Sequence, residues 1–181
     1  MMAGRLLYLV GATAARKQQL LQHLRARLTE YDPLVIAHRY VCGAPPAVPA
    51  DVVVLSEAEY QLRRARGLFV LQWERKSVQY AIGTEINYWL AVGLSVLVNG
   101  SRGHMRQAFG DYPDMTIVWL SARATLAVAD GRTPVGLVPE APPRTVTGRY
   151  LMRLDANGSV SSAAEQLLGA IRDDRRAAQN G

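Results

Sequence analysis

The stretch LLYLVGATAARKQQLLQHL, from Leu6 to Leu24, combines a short apolar strand, a turn that contains a glycine and a lysine, and a helix with leucines at helical spacing. Gly11 ends the strand, and Lys17 follows six positions later. This is the layout of the phosphate-binding loop G-x-x-x-x-G-K-[ST], which a strand enters and a helix leaves. The stretch therefore has the layout of a phosphate-binding loop in an α/β protein.

Two positions of this loop depart from the pattern. Arg16 stands where the second glycine lets the backbone approach a phosphate, and Gln18 stands where a hydroxyl binds magnesium. The Arg16 guanidinium could reach a phosphate instead, and Gln18 offers a poorer magnesium ligand. On the motif alone, a simpler interpretation is favoured, in which Gly11 ends a strand and Lys17 lies exposed in the first turn of a helix.

Composition narrows the class of protein. The 181 residues suit one domain, and the net charge of +6 with a pI near 9.8 favours anionic partners. The arginines are scattered, which argues against a nucleic acid partner. We find no signal-peptide pattern and no apolar run long enough to span a membrane, so the sequence predicts a cytoplasmic protein without a membrane partner. The lone Cys42 and the lack of zinc-type spacing agree with a reducing compartment.

Apolar runs alternate with helical stretches along the chain, which predicts a parallel sheet covered by helices. LFVLQW and VQYAIG flank a polar turn and predict an antiparallel hairpin. Ser56 with Glu59 predicts a capping box that begins a helix ending near Gly67. The other predicted strands are LVIAHRY, VVVL, SVLVNG and MTIVWL. The other predicted helices are Thr84 to Val92, Arg102 to Phe109, a short one after Ser121, and SSAAEQLLGAIRD, which follows RYLMRLDANGS at the close of the chain.

Five further segments follow the loop in the order VIAHRY, VVVLSEAEY, QYAIGTEI, VLVNGSR and LDANGS. In these segments the chain resembles the ribose 1,5-bisphosphate phosphokinases of the PhnN family, which are related to guanylate kinases. The resemblance spans nearly the whole chain. It implies a three-layer P-loop NTPase fold with a mainly parallel five-stranded sheet, built as one domain over residues 1–181. An acceptor-binding hairpin region would occupy about residues 38–83, and a short lid about residues 122–148.

The resemblance also implies an activity, the ATP-dependent phosphorylation of ribose 1,5-bisphosphate to 5-phosphoribosyl 1-diphosphate, in phosphonate degradation and in the supply of NAD and nucleotide precursors. ATP and Mg²⁺ would be the cofactors, and a small phosphorylated sugar would be the partner. The acceptor phosphate is already ionised, so this chemistry needs cations and positioning more than a general base. The oligomeric state stays open, with a homodimer as one alternative.

Site residues follow position by position from the same resemblance. Lys17 and Arg132 are the catalytic candidates, and Gln18 is the weak metal ligand. Glu85 either holds a hydroxyl of the acceptor or lies in the favourable first turn of its helix. The predicted nucleotide-binding residues are Gly11, Ala12, Thr13, Ala14, Ala15, Arg16, Lys17, Gln18, Asn157 and Gly158. The predicted substrate-binding residues are Arg39, Tyr80, Glu85, Asn99, Ser101 and Arg102.

Several departures from the family pattern favour a competing hypothesis. Gly43 replaces a second acceptor arginine, Gln79 replaces the first tyrosine of a pair, and Ala81 replaces the glycine after that pair. The lid helix has lost several arginines. The alternative is therefore a catalytically impaired pseudokinase, a regulatory module that binds a phosphosugar or a nucleotide. Arg123 and Arg132 are the nearest remaining candidates in the lid, and compensation could come from Arg16, Arg132, Arg144 or Arg149.

Overall fold

The computed structural model describes residues 4–11, 13–43, 48–121, 151–155 and 159–179. The predicted lid and the candidates Ala12, Arg132, Asn157 and Gly158 lie outside these ranges, as does the short helix expected after Ser121. The strands are β1 (Leu6–Gly11), β2 (Leu34–Ile36), β3 (Arg39–Cys42), β4 (Val52–Leu55), β5 (Phe69–Arg75), β6 (Val78–Gly83), β7 (Ser95–Asn99), β8 (Thr116–Ser121) and β9 (Leu151–Asp155). The helices are α1 (Ala14–Arg27), α2 (Glu57–Ala65), α3 (Glu85–Ala91), α4 (Met105–Asp111) and α5 (Val160–Gln179), with a 3-10 turn at Arg102–His104.

The central sheet has five parallel strands in the order β2-β7-β1-β8-β9. β1 lies in the middle, where Tyr8 pairs with Val98 on one side and with Ile117 on the other. Parallel strands joined by helical crossovers are buried on both faces, which explains why β1 is buried along its whole length. The predicted parallel five-stranded sheet is confirmed.

Helices cover both faces of this sheet and complete three layers. Alternate residues of β1 point to opposite faces, so Leu7 and Leu9 pack with the buried leucines of α1 and α5, whereas Tyr8 packs with Ile86 of α3 and Ala108 of α4. The carboxyl ends of β1 and β7 meet at the same edge. In the described part of the chain, no helix has the length and apolar character needed to cross a membrane.

A second sheet of four strands, in the order β4-β3-β6-β5, stands beside the first. Its β5 and β6 form the predicted antiparallel hairpin, in which Lys76 and Ser77 make the turn with φ angles of 50° and 59°. These positive angles match the tight turn that suits the twist of paired strands. The second sheet falls within the region predicted to bind the acceptor.

The prediction of one strand over LVIAHRY is wrong, because the chain changes sheets within it. Ala37 still donates its N–H to Leu97 in the central sheet, at 2.9 Å. Arg39 then donates its N–H to the carbonyl of Asp51 at 2.7 Å, and β3 continues in the second sheet. LVIAHRY contains no Gly, Pro, Asn or Asp that would mark a break, so nothing in this segment signals the change of partner.

Helix boundaries follow the predicted caps with two differences. The Ser56 hydroxyl accepts a hydrogen bond from the Glu59 N–H at 3.2 Å, but the Glu59 carboxylate bonds Arg63 at 2.6 Å. The helix predicted from Arg102 to Phe109 is a 3-10 turn followed by α4. Tight 3-10 turns are common at the beginning of helices.

Candidate active site

The predicted phosphate-binding loop joins β1 to α1 at the carboxyl edge of the central sheet. Thr13 caps α1, because its hydroxyl accepts the Arg16 N–H at 3.3 Å and its carbonyl accepts the Lys17 N–H at 3.1 Å. Arg16 and Gln18 are therefore helical, and Arg16 meets no demand for a positive φ. The beginning of a helix attracts anions, and the first turn of α1 contains no acidic residue to oppose one.

Lys17 lies against the end of β7. Its ammonium Nζ donates to the carbonyl of Gly100 at 2.8 Å, so the interpretation of Lys17 as an exposed helix residue is wrong. Burial lowers the pKa of Lys17 from 10.5 to about 8, and the positive charges of three arginines act in the same direction. The negative charge of Asp51 opposes this shift. The three arginines are Arg39, Arg75 and Arg102. A cluster of cations therefore converges on the edge predicted to hold phosphates.

This shift predicts a pH dependence that can be measured without turnover. The unfolded chain keeps the Lys17 proton up to pH 10.5, and the folded protein keeps it up to about pH 8. Stability of the free protein should therefore rise with pH between these values, since the unfolded state binds more protons there. Binding of anionic ATP should instead weaken as the pH rises through 8, because the ammonium loses its charge.

The measurement is the dissociation constant of ATP in EDTA from pH 6.5 to 9.5. Tyr8 does not titrate in this window, because burial raises its pKa to about 12. Lys17→Ala is the control and should bind weakly with a flat pH profile. A wild-type affinity that stays constant through pH 8 would contradict the assignment of Lys17 to the phosphates.

Tyr8 fixes the segment that follows β7. Its hydroxyl accepts the N–H of Ser101 and donates to the carbonyl of Ser101, both at 3.1 Å. The ring lies directly over Gly100, where an added Cβ would come within 2.3 Å of it. Gly100 is therefore required by close packing, and the predicted residues Asn99 and Ser101 are held beside Lys17 by a side chain of β1.

Tyr8→Phe should destabilise the protein by about 1–3 kcal/mol, because it leaves the part-buried N–H of Ser101 without its partner and the carbonyl of Ser101 with the His104 N–H alone. Urea denaturation measures this loss. Tyr112→Phe is the matched control, since the Tyr112 hydroxyl bonds Asn87 at an exposed position, at 2.8 Å. Equal losses in the two variants would contradict a special role for Tyr8.

The second sheet turns an aromatic face to the same edge. The Arg39 guanidinium lies 5.9 Å from the centre of the Tyr80 ring, and Trp73 stacks on Tyr80 at 5.6 Å with an angle of 9° between the planes. Trp73 also stacks on His104 at 5.3 Å. Burial lowers the pKa of His104, so its ring is neutral in this stack at neutral pH. This row connects the second sheet to the segment after β7.

Arg39 is held by Asp51, a residue that sequence reasoning missed. Asp51 Oδ2 accepts from Arg39 Nε at 3.1 Å and from Asn99 Nδ2 at 3.3 Å. The side chain of Asp51 has no exposed surface. Its only sequence signal is an acidic residue within the apolar segment PPAVPADV, and nothing in that pattern identifies its partners. Arg75, Tyr8 and Trp73 were missed for the same reason, because long-range packing brings them to the site.

The other predicted residues are distributed unevenly. Tyr80 lies against Arg39, and Asn99 shares the Asp51 carboxylate with Arg39. Ser101 and Arg102 follow Gly100, whose carbonyl holds Lys17. Glu85 instead accepts from the hydroxyl of Tyr40 at 3.3 Å, and Tyr40 points to the opposite face of β3 from its neighbour Arg39. Glu85 is thus the predicted substrate residue that the described structure does not bring into this group, and its role stays a prediction.

The described residues do not form a binding site for a magnesium ion. No group of three or more His, Cys, Asp or Glu side chains there is placed to hold a metal ion. The buried Nε2 of Gln18 has no hydrogen-bond partner, and a nitrogen donor of this kind cannot ligate the ion. Asp51 is enclosed and engaged by Arg39. These residues do not fit a protein-held magnesium ion, and Gln18 remains a prediction from sequence.

The parallel five-stranded sheet with helices on both faces defines an α/β protein with a guanylate-kinase-like fold. The structure is similar to the crystal structure of guanylate kinase from Anaplasma phagocytophilum, with a TM-score of 0.62 and 10% identity, covering 96% of this chain and 87% of that one. At this identity the likeness shows the fold alone. No family model matches the sequence.

Sequence relatives define the family. The ribose 1,5-bisphosphate phosphokinase PhnN of Desulfomicrobium baculatum is 37% identical over 92% of this chain and 94% of that protein. The PhnN of Azotobacter vinelandii is 33% identical over 94% and 97%. The PhnN of Laribacter hongkongensis is 42% identical over 70% of this chain but only 30% of its own length. The chain belongs to the ribose 1,5-bisphosphate phosphokinase PhnN family.

Proposed function

We propose that the protein transfers the γ-phosphoryl group of ATP to the 1-phosphate of ribose 1,5-bisphosphate and forms 5-phosphoribosyl 1-diphosphate. The observation that carries this proposal is the convergence of four cations on one edge of the central sheet. Lys17, Arg39, Arg75 and Arg102 stand against a single buried carboxylate, Asp51. Such an excess of positive charge suits two phosphorylated substrates that meet end to end.

The chemistry requires little beyond charge and position. An oxygen of the acceptor 1-phosphate attacks the γ-phosphorus, the bond from that phosphorus to the bridging oxygen breaks, and ADP leaves with the electron pair. The attacking oxygen is already ionised, so no general base is needed. Fixed cations stabilise the negative charge that spreads over the transferring group, and they need no reorganisation during the step.

The nucleotide would bind at the beginning of α1. The amides of the first helical turn and the positive end of the helix dipole favour the terminal phosphates. Lys17 adds a part-buried cation whose position is fixed by the carbonyl of Gly100. We assign Gly11 and the six residues from Thr13 through Gln18 to the nucleotide end of the site. Ala12, Asn157, Gly158 and Arg132 complete the assignment from outside the described residues.

The acceptor would bind between the second sheet and the segment after β7. Arg39 and the face of Tyr80 offer a cation and an aromatic surface, and Asn99, Ser101 and Arg102 close the side next to Lys17. This arrangement supports the acceptor-binding role proposed for residues 38–83. Arg75, at the end of β5, adds a further cation. It lies two positions after Trp73 and therefore on the same face of the strand.

The test is to incubate the purified protein with ATP, magnesium and ribose 1,5-bisphosphate and to follow the product by phosphorus NMR. The expected result is a pyrophosphate product together with ADP. Product no greater than that of Lys17→Ala would overturn the proposal. Tight ATP binding without product would instead support the pseudokinase hypothesis.

A further inference from the structure

Asp51 is a fully buried carboxylate that joins the two sheets. It precedes β4, and one oxygen, Oδ2, accepts from Arg39 on β3 and from Asn99 at the end of β7, at 3.1 and 3.3 Å. The backbone carbonyl of Asp51 also accepts the N–H of Arg39, at 2.7 Å. The two bonds with Arg39 lie within the second sheet, and the bond from Asn99 ties that sheet to the carboxyl edge of the central sheet.

Burial of this charge is unfavourable for folding by itself. Removal of a carboxylate from water costs free energy that one ion pair does not reliably recover, and apolar side chains could fill the same place at least as well. Its second oxygen, Oδ1, is buried without a hydrogen-bond partner, which adds to the cost. A role in orienting its partners gives this costly arrangement a reason.

We propose that Asp51 is a positioning residue that holds Arg39 in place for the phosphate of the acceptor. The inference rests on the proposed function, in which Arg39 binds that phosphate. Asp51 fixes the Nε side of the guanidinium, and the Tyr80 ring lies over its plane. Arginine carries five N–H donors, so a hydrogen bond at Nε leaves the terminal donors for a ligand. The Arg39 side chain keeps 16% of its surface exposed, which gives a ligand access.

The direction in which phosphate affinity changes when Asp51 is removed distinguishes a positioning role from a purely electrostatic one. Asp51 is negative and stands beside a phosphate site, so by charge alone its removal should tighten phosphate binding. If Asp51 orients Arg39, its removal should weaken binding, because a mobile arginine loses more conformational entropy when the ligand arrives. We expect binding to weaken by about tenfold, which corresponds to the loss of one oriented charge-assisted contact.

The experiment measures ribose 5-phosphate binding by calorimetry in the wild type and in Asp51→Asn. Asp32→Asn is the matched control, because Asp32 is also shielded, with 6% of its side chain exposed, and pairs with Arg172 at 2.6 Å. Asp32 precedes β2 and so lies at the opposite edge of the sheet. Asp32→Asn should lose stability and keep its affinity. Unchanged or tighter binding in Asp51→Asn, or no binding in the wild type, would overturn the proposal.

An Arg39→Ala background tests whether Asp51 acts through Arg39. Once Arg39 is absent, Asp51→Asn should not weaken binding further, whereas additive losses would contradict the proposal. If Asp51→Asn fails to fold, the wild type still provides a test by NMR. The Arg39 Nε–H should exchange slowly without ligand, compared with that of Arg176, whose side chain is 78% exposed. Rapid exchange at Arg39 would overturn the inference.

These results are independent of turnover. Ribose 5-phosphate binding that depends on Asp51, without formation of 5-phosphoribosyl 1-diphosphate from the full substrates, would refute the proposed reaction and support the positioning role. Formation of the product, together with ribose 5-phosphate binding that does not depend on Asp51, would support the proposed reaction and refute the positioning role.

Discussion

Replacement of Lys17 by alanine is expected to lower the rate of phosphoryl transfer by about 10²–10³-fold, the usual cost of removing one fixed group that stabilises transition-state charge. The ammonium is part-buried, and its hydrogen bond to the carbonyl of Gly100 fixes its position. The loss should appear in kcat as well as in kcat/KM, because negative charge on the transferring group is greatest in the transition state.

Lys76 provides a matched control, since the chain contains two lysines and Lys76 lies exposed in the turn between β5 and β6. Lys76→Ala also replaces a lysine by alanine. The backbone at position 76 has a positive φ, which lysine and alanine disfavour alike, so both the rate and the stability should stay nearly unchanged. Steady-state kinetics on the two variants, with thermal melts to verify folding, test the assignment. Equal rates in Lys17→Ala and the wild type would contradict it.

The architecture could be read from the sequence because burial leaves a periodic trace. Strands buried on both faces appear as short apolar runs, and β1, β7 and β8 all have this form. The loop glycine and lysine then predict a phosphate site at the end of β1. Resemblance to one family ordered the remaining segments and gave the predicted sheet.

The details of the site depend on contacts that leave no such trace. The change of sheet between Ile36 and Arg39 depends on which strands are free to pair, and that is decided by the packed structure. The position of Asp51 between β3 and β7 is decided by long-range packing, and a lone acidic residue before an apolar strand does not indicate it. Arg16 stands at the position of the second loop glycine, but Thr13 caps the helix before it, so the Arg16 backbone is helical and needs no positive φ.

Gly11→Ala is expected to destabilise the protein by about 3 kcal/mol, from two costs that act together. Gly11 has a φ of 88°, a left-handed conformation in which a residue with a Cβ is unfavourable by about 1–2 kcal/mol. An added Cβ would also lie 2.5 Å from the carbonyl oxygen of Leu120 on β8. That oxygen belongs to the backbone of a strand paired with β1, so it cannot move aside without disturbing the sheet.

The loop follows Gly11 directly, so the same substitution should also displace Lys17 and weaken ATP binding. Gly169→Ala is the control, because Gly169 lies within α5 and an added Cβ there would meet no atom within 4 Å. Alanine favours helix over glycine, and this variant should gain about 0.5–1 kcal/mol. Urea denaturation compares the two. A Gly11→Ala protein as stable as the wild type would show that β1 and β8 are not packed against each other as closely at Gly11 as described.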